Sequence, residues 1–280
     1  MATSATIPNS DIVFRRDGEG QLAVVFVHGW TDDQHVWGPV IAGLSGSGFE
    51  TVQLDLAGFG DRTQADGPFT FDRFAADLLA VVDAVDKPFV LVGHSMAAPV
   101  VELVAEARPR RALGLVLLAP IPMAGAQLPH EVIENFRALA GAQASTIQAM
   151  RRQAGPSAPE AELARIATVA ARARPAVVRA TADLWNTGHP DERPSRFSKP
   201  VLILTGSDDP IVTSEAVASA VVPWFDLAHT TTIEIEKCSH WPHIEQPSLV
   251  AAQIDRFLAG SLAVEAVDAA TFIDTTVAFT

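Results

Sequence analysis

Tyrosine is absent from this chain of 280 residues, and cysteine occurs once, at Cys238. A single thiol excludes an intrachain disulfide and a multi-thiolate metal centre. Positive charge is scarce: 20 lysines and arginines face 33 aspartates and glutamates, for a formal net charge of -13. That balance argues against a nucleic-acid backbone or an anionic membrane surface as a partner. Long apolar runs are missing too. The longest, residues 112–126, is broken by Pro120 and Pro122 and is shorter than the roughly 20 residues a membrane-spanning helix needs. Residues 1–9 show no basic stretch followed by an apolar run, so no secretory leader is expected. No two histidines have H-x-x-x-H spacing on a helix-like segment, and neither a metal nor a cofactor is expected. These absences leave a soluble cytoplasmic protein as the expectation, with its oligomeric state open.

What is present is a large apolar fraction, 48% against 19% charged residues, enough for a sizeable core. Residues 22–27 and 113–118 are nearly continuous β-branched and aliphatic runs, the pattern of strands buried on both faces. Further strands are expected over 10–18, 51–56, 89–92, 201–204 and 231–236, and helices over 36–44, 71–85, 97–107 and 247–258. Strands alternating with helices predict an α/β fold, a mostly parallel sheet flanked by helices. The alternation stops at Pro120. From there to Ser198 only helix-like segments occur, over 131–139, 145–152 and 159–185. Residues 1–120 and 199–260 are therefore expected to form the core and 121–198 an all-helical cap over the sheet edge where ligands of open α/β sheets bind. The cap holds nine arginines against seven acids, +2, leaving -15 on the rest; these arginines are expected on solvated helix faces. Residues 261–280 form a tail of unassigned role.

Three residues with nucleophile, acid and base character stand at strand ends. Gly93-His94-Ser95-Met96-Ala97 joins a strand to a helix. A serine there projects its hydroxyl near the free N–H groups of the helix start, the logic of the G-x-S-x-G nucleophile elbow. Serine hydroxyl is a weak nucleophile and needs a histidine held by a carboxylate. His240 follows the strand at 231–236, and Asp208-Asp209-Pro210 follows the strand at 201–204. All parallel strands end along one edge, so these groups can converge. Their order, Ser…Asp…His, is that of α/β-hydrolases.

Over residues 22–258 the chain resembles serine-type α/β-hydrolases with a helical cap, similar to carboxylesterases, enol-lactonases and the cofactor-free haloperoxidase/perhydrolase group. His28-Gly29-Trp30 resembles the oxyanion loop and Asp55-x-x-Gly58-x-Gly60 the D-x-x-G-x-G turn. Gly206-x-x-Asp209-Pro210 and His240-Trp241-Pro242-His243-x-Glu245-x-Pro247 resemble the acid and base segments. Ala97 in the elbow and Ser239 before the histidine stand where the family has glycine. The resemblance implies Ser95 as nucleophile, His240 as base and Asp209, rather than Asp208, as the carboxylate before the proline. It also implies an oxyanion hole made by the backbone N–H groups of Trp30 and Met96. The other acid position of the family, after the strand 113–118, holds Ala119-Pro120-Ile121-Pro122 and no carboxylate.

Other candidates have structural readings. His28 is expected to brace the oxyanion loop, His94 to pack in the elbow, His243 to support the base, Cys238 to be a small buried residue and Asp55 to form its turn. Phe59, Met123, Trp185, Ile211 and Trp241, with Ile121, are expected to line an apolar pocket, although Trp185 could equally fill the core, as Trp37 could. Epoxide hydrolases and haloalkane dehalogenases of the fold carry an aspartate at the elbow, and the former use cap tyrosines, of which there are none here. Hydroxynitrile lyases of the fold place a lysine after the histidine, where this chain has Trp241. The implied function is hydrolysis of a carboxylic ester or lactone of a small to medium hydrophobic substrate. The alternatives are perhydrolysis or C–C bond hydrolysis with the same triad, or a non-catalytic ligand receptor that keeps the fold.

Overall fold

A computed structural model of the protein describes residues 2–190 and 194–274. Among these residues the strands form one eight-stranded sheet in the order β1-β2-β4-β3-β5-β6-β7-β8. The strands are β1 (Thr3–Thr6), β2 (Val13–Asp17), β3 (Leu22–Val27), β4 (Phe49–Leu54), β5 (Phe89–His94), β6 (Ala112–Leu118), β7 (Val201–Gly206) and β8 (Thr230–Ile235). β1 and β2 join antiparallel, and β4 through β8 pair parallel. β3, β5, β6 and β7 are buried along their whole length, which is why they read as unbroken apolar runs instead of alternating ones.

Helices cover both faces. On one lie α2 (Phe71–Val85) and α3 (Ala97–Ala107); on the other lie α1 (Gly38–Gly43) and α10 (Pro247–Asp274). α2 starts where the Thr70 hydroxyl accepts the Arg73 N–H and stops at Asp86, whose φ of 52° is left-handed, a common helix stop. Between β6 and β7 run α4 (His130–Arg137), α5 (Ala144–Ala154), α6 (Glu160–Ala171) and α7 (Pro175–Thr187). The segment expected as one helix over 159–185 is two, because Pro175 cannot continue α6 and instead begins α7. α8 (Ser214–Ala220) and the short α9 (Pro242–Glu245) were not visible in the periodicity. α10 outlasts its expected end and runs through Asp274; residues 275–280 of the tail lie outside the described residues.

The chain moves from β3 to β4 on one side and returns to β5 on the other side of β3. The loops after β3 and β5 therefore diverge, opening a crevice at the sheet's C-terminal edge. It is there that the His28–Asp32 loop and Ser95 meet. None of the helices among the described residues is long and apolar enough to cross a membrane.

Candidate active site

Ser95 occupies the elbow between β5 and α3 with φ of 52°, a left-handed conformation that a non-glycine residue holds only under constraint. The constraint is visible: Ser95 N–H donates to Leu118 O at 2.9 Å, and Ser95 O accepts from Ala98 N–H at 3.0 Å and Ile121 N–H at 3.3 Å. Gly93 is required beneath it. A Cβ there would stand 2.9 Å from Val101 Cγ2 and 3.1 Å from Ala97 O.

The Ser95 hydroxyl donates to His240 Nε2 at 3.1 Å, and His240 Nδ1–H donates to Asp209 Oδ2 at 2.8 Å. All three residues are buried. Asp209 Oδ1 is separately held by the N–H groups of Ile211 and Val212 at 2.8 and 2.9 Å. Burial pushes the Asp209 carboxyl up, but the His240 charge, its hydrogen bond and these two N–H donors outweigh burial and hold it below the usual range. Asp208 is exposed and accepts the neighbouring Ser207 hydroxyl. Of the two aspartates, the structure brings only Asp209 to His240.

The backbone N–H groups of Trp30 and Met96 donate to nothing among the described residues. Gly29 lets the first loop come close to the elbow, since a Cβ there would meet His94 Nδ1 at 2.5 Å. His28 braces the same loop, accepting Leu56 N–H at Nε2 and donating from Nδ1 to Gly29 O. Asp55 staples its turn by accepting Gln34 N–H at 2.7 Å and Asp61 N–H at 2.9 Å. The loop carrying His240 is tied by Glu245, which accepts the N–H groups of Ser239 and Trp241. Burial raises the Cys238 thiol to about 12, so it stays protonated and inert as a nucleophile.

Above Ser95 is a cavity of about 40 Å³. Trp30, Thr31, Ile211 and Trp241 wall it from the core, and Phe136, Met150, Arg151 and Trp185 from α4, α5 and α7. Trp30, Phe136 and Trp185 pack edge to face with centroids 5.1 to 5.9 Å apart, and Trp30 Nε1–H donates to Thr181 on α7. Of the residues expected in the pocket, Trp185, Ile211, Trp241 and Ile121 line it, whereas Phe59 and Met123 do not. Phe59 is drawn into the core by edge contact with His28 at 6.0 Å. Met123 is buried, its carbonyl accepting His189 N–H. Trp37 belongs to the core beside Phe26 and His243.

Among the described arginines of residues 121–198, one departs from the solvated placement expected. Arg151 is buried, not solvated: it donates to Asp32 Oδ1 at 2.6 Å and to Thr31 O and Oγ1 at 3.1 and 2.9 Å. Arg165 likewise reaches Asp33 at 3.0 Å. Burial pushes Asp32 up, but the Arg151 charge brings it down to about 2, so the pair is fully ionised. The slight positive balance of residues 121–198 was the only sequence signal for this contact.

Asp32, His94 and His243 bring ligand-type atoms within 4.8 Å of one another. The Arg151 guanidinium already neutralises Asp32, and a divalent cation beside it would add uncompensated buried charge, so the group fits a neutral histidine pair better than a metal. His94 donates from Nε2 to the His240 carbonyl at 2.8 Å, which leaves its Nδ1 unprotonated. Burial, then the His240 charge, lowers His94 to about 3, and burial lowers His243 well below its usual value. Between the ordinary histidine value of 6.5 and about 3 the unfolded chain binds the His94 proton and the folded chain does not, and the lowered His243 acts in the same direction. The stability that comes from keeping His94 neutral is thus fully present above pH 6.5 and is lost as pH drops, by about 1.4 kcal/mol per pH unit, and His243 adds to the loss in the same direction. Urea unfolding across this range should show that slope, and His243→Gln should reduce it.

A strained serine after one parallel strand, a histidine after another and a carboxylate after a third, under a helical insertion, define the architecture of a hydrolase. The chain belongs to the alpha/beta hydrolase family, whose model matches residues 24–253. It is 31% identical over 151 residues to a non-heme chloroperoxidase of Streptomyces lividans, covering 49% of this chain and 54% of that protein; the chain thus spans about half the length of that relative. It is 27% identical over 269 residues to a pimeloyl-[acyl-carrier protein] methyl ester esterase of Aliivibrio salmonicida, covering 89% and 96%. The enol-lactonase of Burkholderia xenovorans LB400 shares the fold with a TM-score of 0.76 at 20% identity, covering 92% of this chain and all of that one.

Proposed function

We propose that the protein is a serine hydrolase that cleaves a carboxylic ester or lactone of a small to medium hydrophobic substrate through an acyl-enzyme. The observation that carries this reading is the hydrogen-bonded series Ser95–His240–Asp209 at the floor of an apolar pocket; the Trp30 and Met96 N–H groups, in the loop after β3 and next to Ser95 in the chain, donate to nothing among the described residues. Ser95 Oγ bonds to the substrate carbonyl carbon as its proton passes to His240 Nε2. The carbonyl oxygen becomes an oxyanion that takes the Trp30 and Met96 N–H groups, each worth about 10² to 10³ in rate. Collapse expels the alkoxide, which leaves with the proton from His240. Water then attacks the acyl-enzyme by the same route in reverse, regenerating the Ser95 hydroxyl. Asp209 fixes the imidazole tautomer and stabilises its charged form.

The likeness to a chloroperoxidase and to a methyl ester esterase supports acyl chemistry. The chloroperoxidase likeness also favours a second reading, in which hydrogen peroxide replaces water and the acyl-enzyme is released as a peracid. A panel of p-nitrophenyl esters, methyl esters and lactones, with and without peroxide, tests both. Turnover of esters or lactones is expected; no turnover of any member would refute the hydrolase reading.

A further inference from the structure

The cavity over Ser95, about 40 Å³, has room for an acetyl-sized group and little more, whereas pockets for small-molecule ligands commonly run to about 300 Å³ and above. A second apolar hollow of about 290 Å³ lies next to it, between the start of the helical insertion and α8. Pro122, Ala126, Val217, Val221 and Trp224 line it, and it opens towards solvent. Two residues, Ile121 and Ile211, belong to both spaces. Each is fixed through its backbone to the catalytic apparatus: Ile121 N–H donates to Ser95 O at 3.3 Å and Ile211 N–H to Asp209 Oδ1 at 2.8 Å. Their side chains therefore form a partition whose main chain cannot drift when the side chains are shortened.

We propose that the Ile121–Ile211 partition closes this hollow off from Ser95 and so holds the protein to substrates with a short apolar chain, and that the hollow takes a longer chain once the partition is shortened. This rests on the ester-hydrolase reading above. The ligand class is a linear aliphatic chain, in either the acyl or the alcohol half of the ester. Nothing charged lines the hollow, and only Gln127 and the Trp224 indole N–H bring side-chain hydrogen-bonding groups to it.

The test measures kcat/KM on two series, p-nitrophenyl esters from acetyl to octanoyl and acetate esters of ethanol to octanol. Wild-type protein should prefer the short members. Ile211→Ala should raise the octyl-to-ethyl or octanoyl-to-acetyl ratio at least tenfold, since each methylene that finds an apolar site gains about fourfold. Ala216→Trp, which fills the hollow from the exposed face of α8, should cancel that gain in the Ile211→Ala background. A gain in the first series assigns the hollow to the acyl half, and in the second to the alcohol half. An unchanged ratio in both, a wild-type optimum at eight carbons, or a gain that survives Ala216→Trp overturns the proposal. Labelling rates of Ser95 by ethyl and octyl fluorophosphonates give the same ratio without turnover. Labelling without ester hydrolysis, with the ratio shifted as expected, would sink the hydrolase reading and leave this one standing; no labelling would sink both.

Discussion

Asp209→Asn is expected to lower kcat by about 10⁴ with KM little changed. The local bonding dictates the reason. Asp209 Oδ1 accepts two backbone N–H groups, from Ile211 and Val212. An asparagine at 209 must keep its carbonyl oxygen on those donors, and its NH2 then faces His240 Nδ1. That nitrogen has to accept, so the imidazole proton moves to Nε2, the atom that must take the proton of Ser95. The base is present but holds the wrong tautomer. Asp208→Asn, at an exposed position whose carboxylate accepts the Ser207 hydroxyl, should change kcat no more than a few-fold. Equal losses in the two variants, read on p-nitrophenyl acetate, would refute the assignment.

Arg151→Met should destabilise the protein by about 3 to 5 kcal/mol, because it leaves the buried Asp32 carboxylate without its cation. Among the described residues the Asp32 carboxylate would keep the long hydrogen bond from Trp241 Nε1 at 3.4 Å and the His94 ring at 3.9 Å, and Thr31 would lose both bonds from the guanidinium. The double variant Arg151→Met/Asp32→Asn should recover much of the loss, since removing both charges removes the uncompensated one. Urea unfolding midpoints measure this, and a single-variant loss under about 1 kcal/mol would contradict the ion pair's role. Activity should fall as well. α5 holds the His28–Asp32 loop at Thr31 through Arg151 and the His240 N–H through the Ala154 carbonyl at 3.3 Å. The roof of the pocket thus also holds the two loops beneath it.

The sequence made the core legible where physics is local or periodic. The buried runs of β3, β5, β6 and β7 and the amphipathic stripe of α2 need no knowledge of neighbours, and α2 and α3 have the expected ends. Ser95, Asp209 and His240 were legible because each follows a strand in a parallel sheet, so chain order predicts a shared edge. Arg151 was not. Its role depends on α5 descending onto Asp32, a contact across 119 residues that no spacing encodes. Phe59 and Met123 were misplaced for the same reason: hydrophobicity near a strand end does not say whether a side chain turns towards the cavity or the core. The partition formed by Ile121 and Ile211 also becomes visible only once two loops far apart in sequence lie side by side.

The central claim is that Ser95 is an activated nucleophile. Its most direct test is intact-mass measurement after incubation with a short-chain fluorophosphonate, followed by peptide mapping. The expected result is one phosphonyl adduct per chain, carried on Ser95, lost in Ser95→Ala and greatly slowed in Asp209→Asn. An unmodified chain, or an adduct that persists at full rate when Ser95 is replaced by alanine, would contradict it.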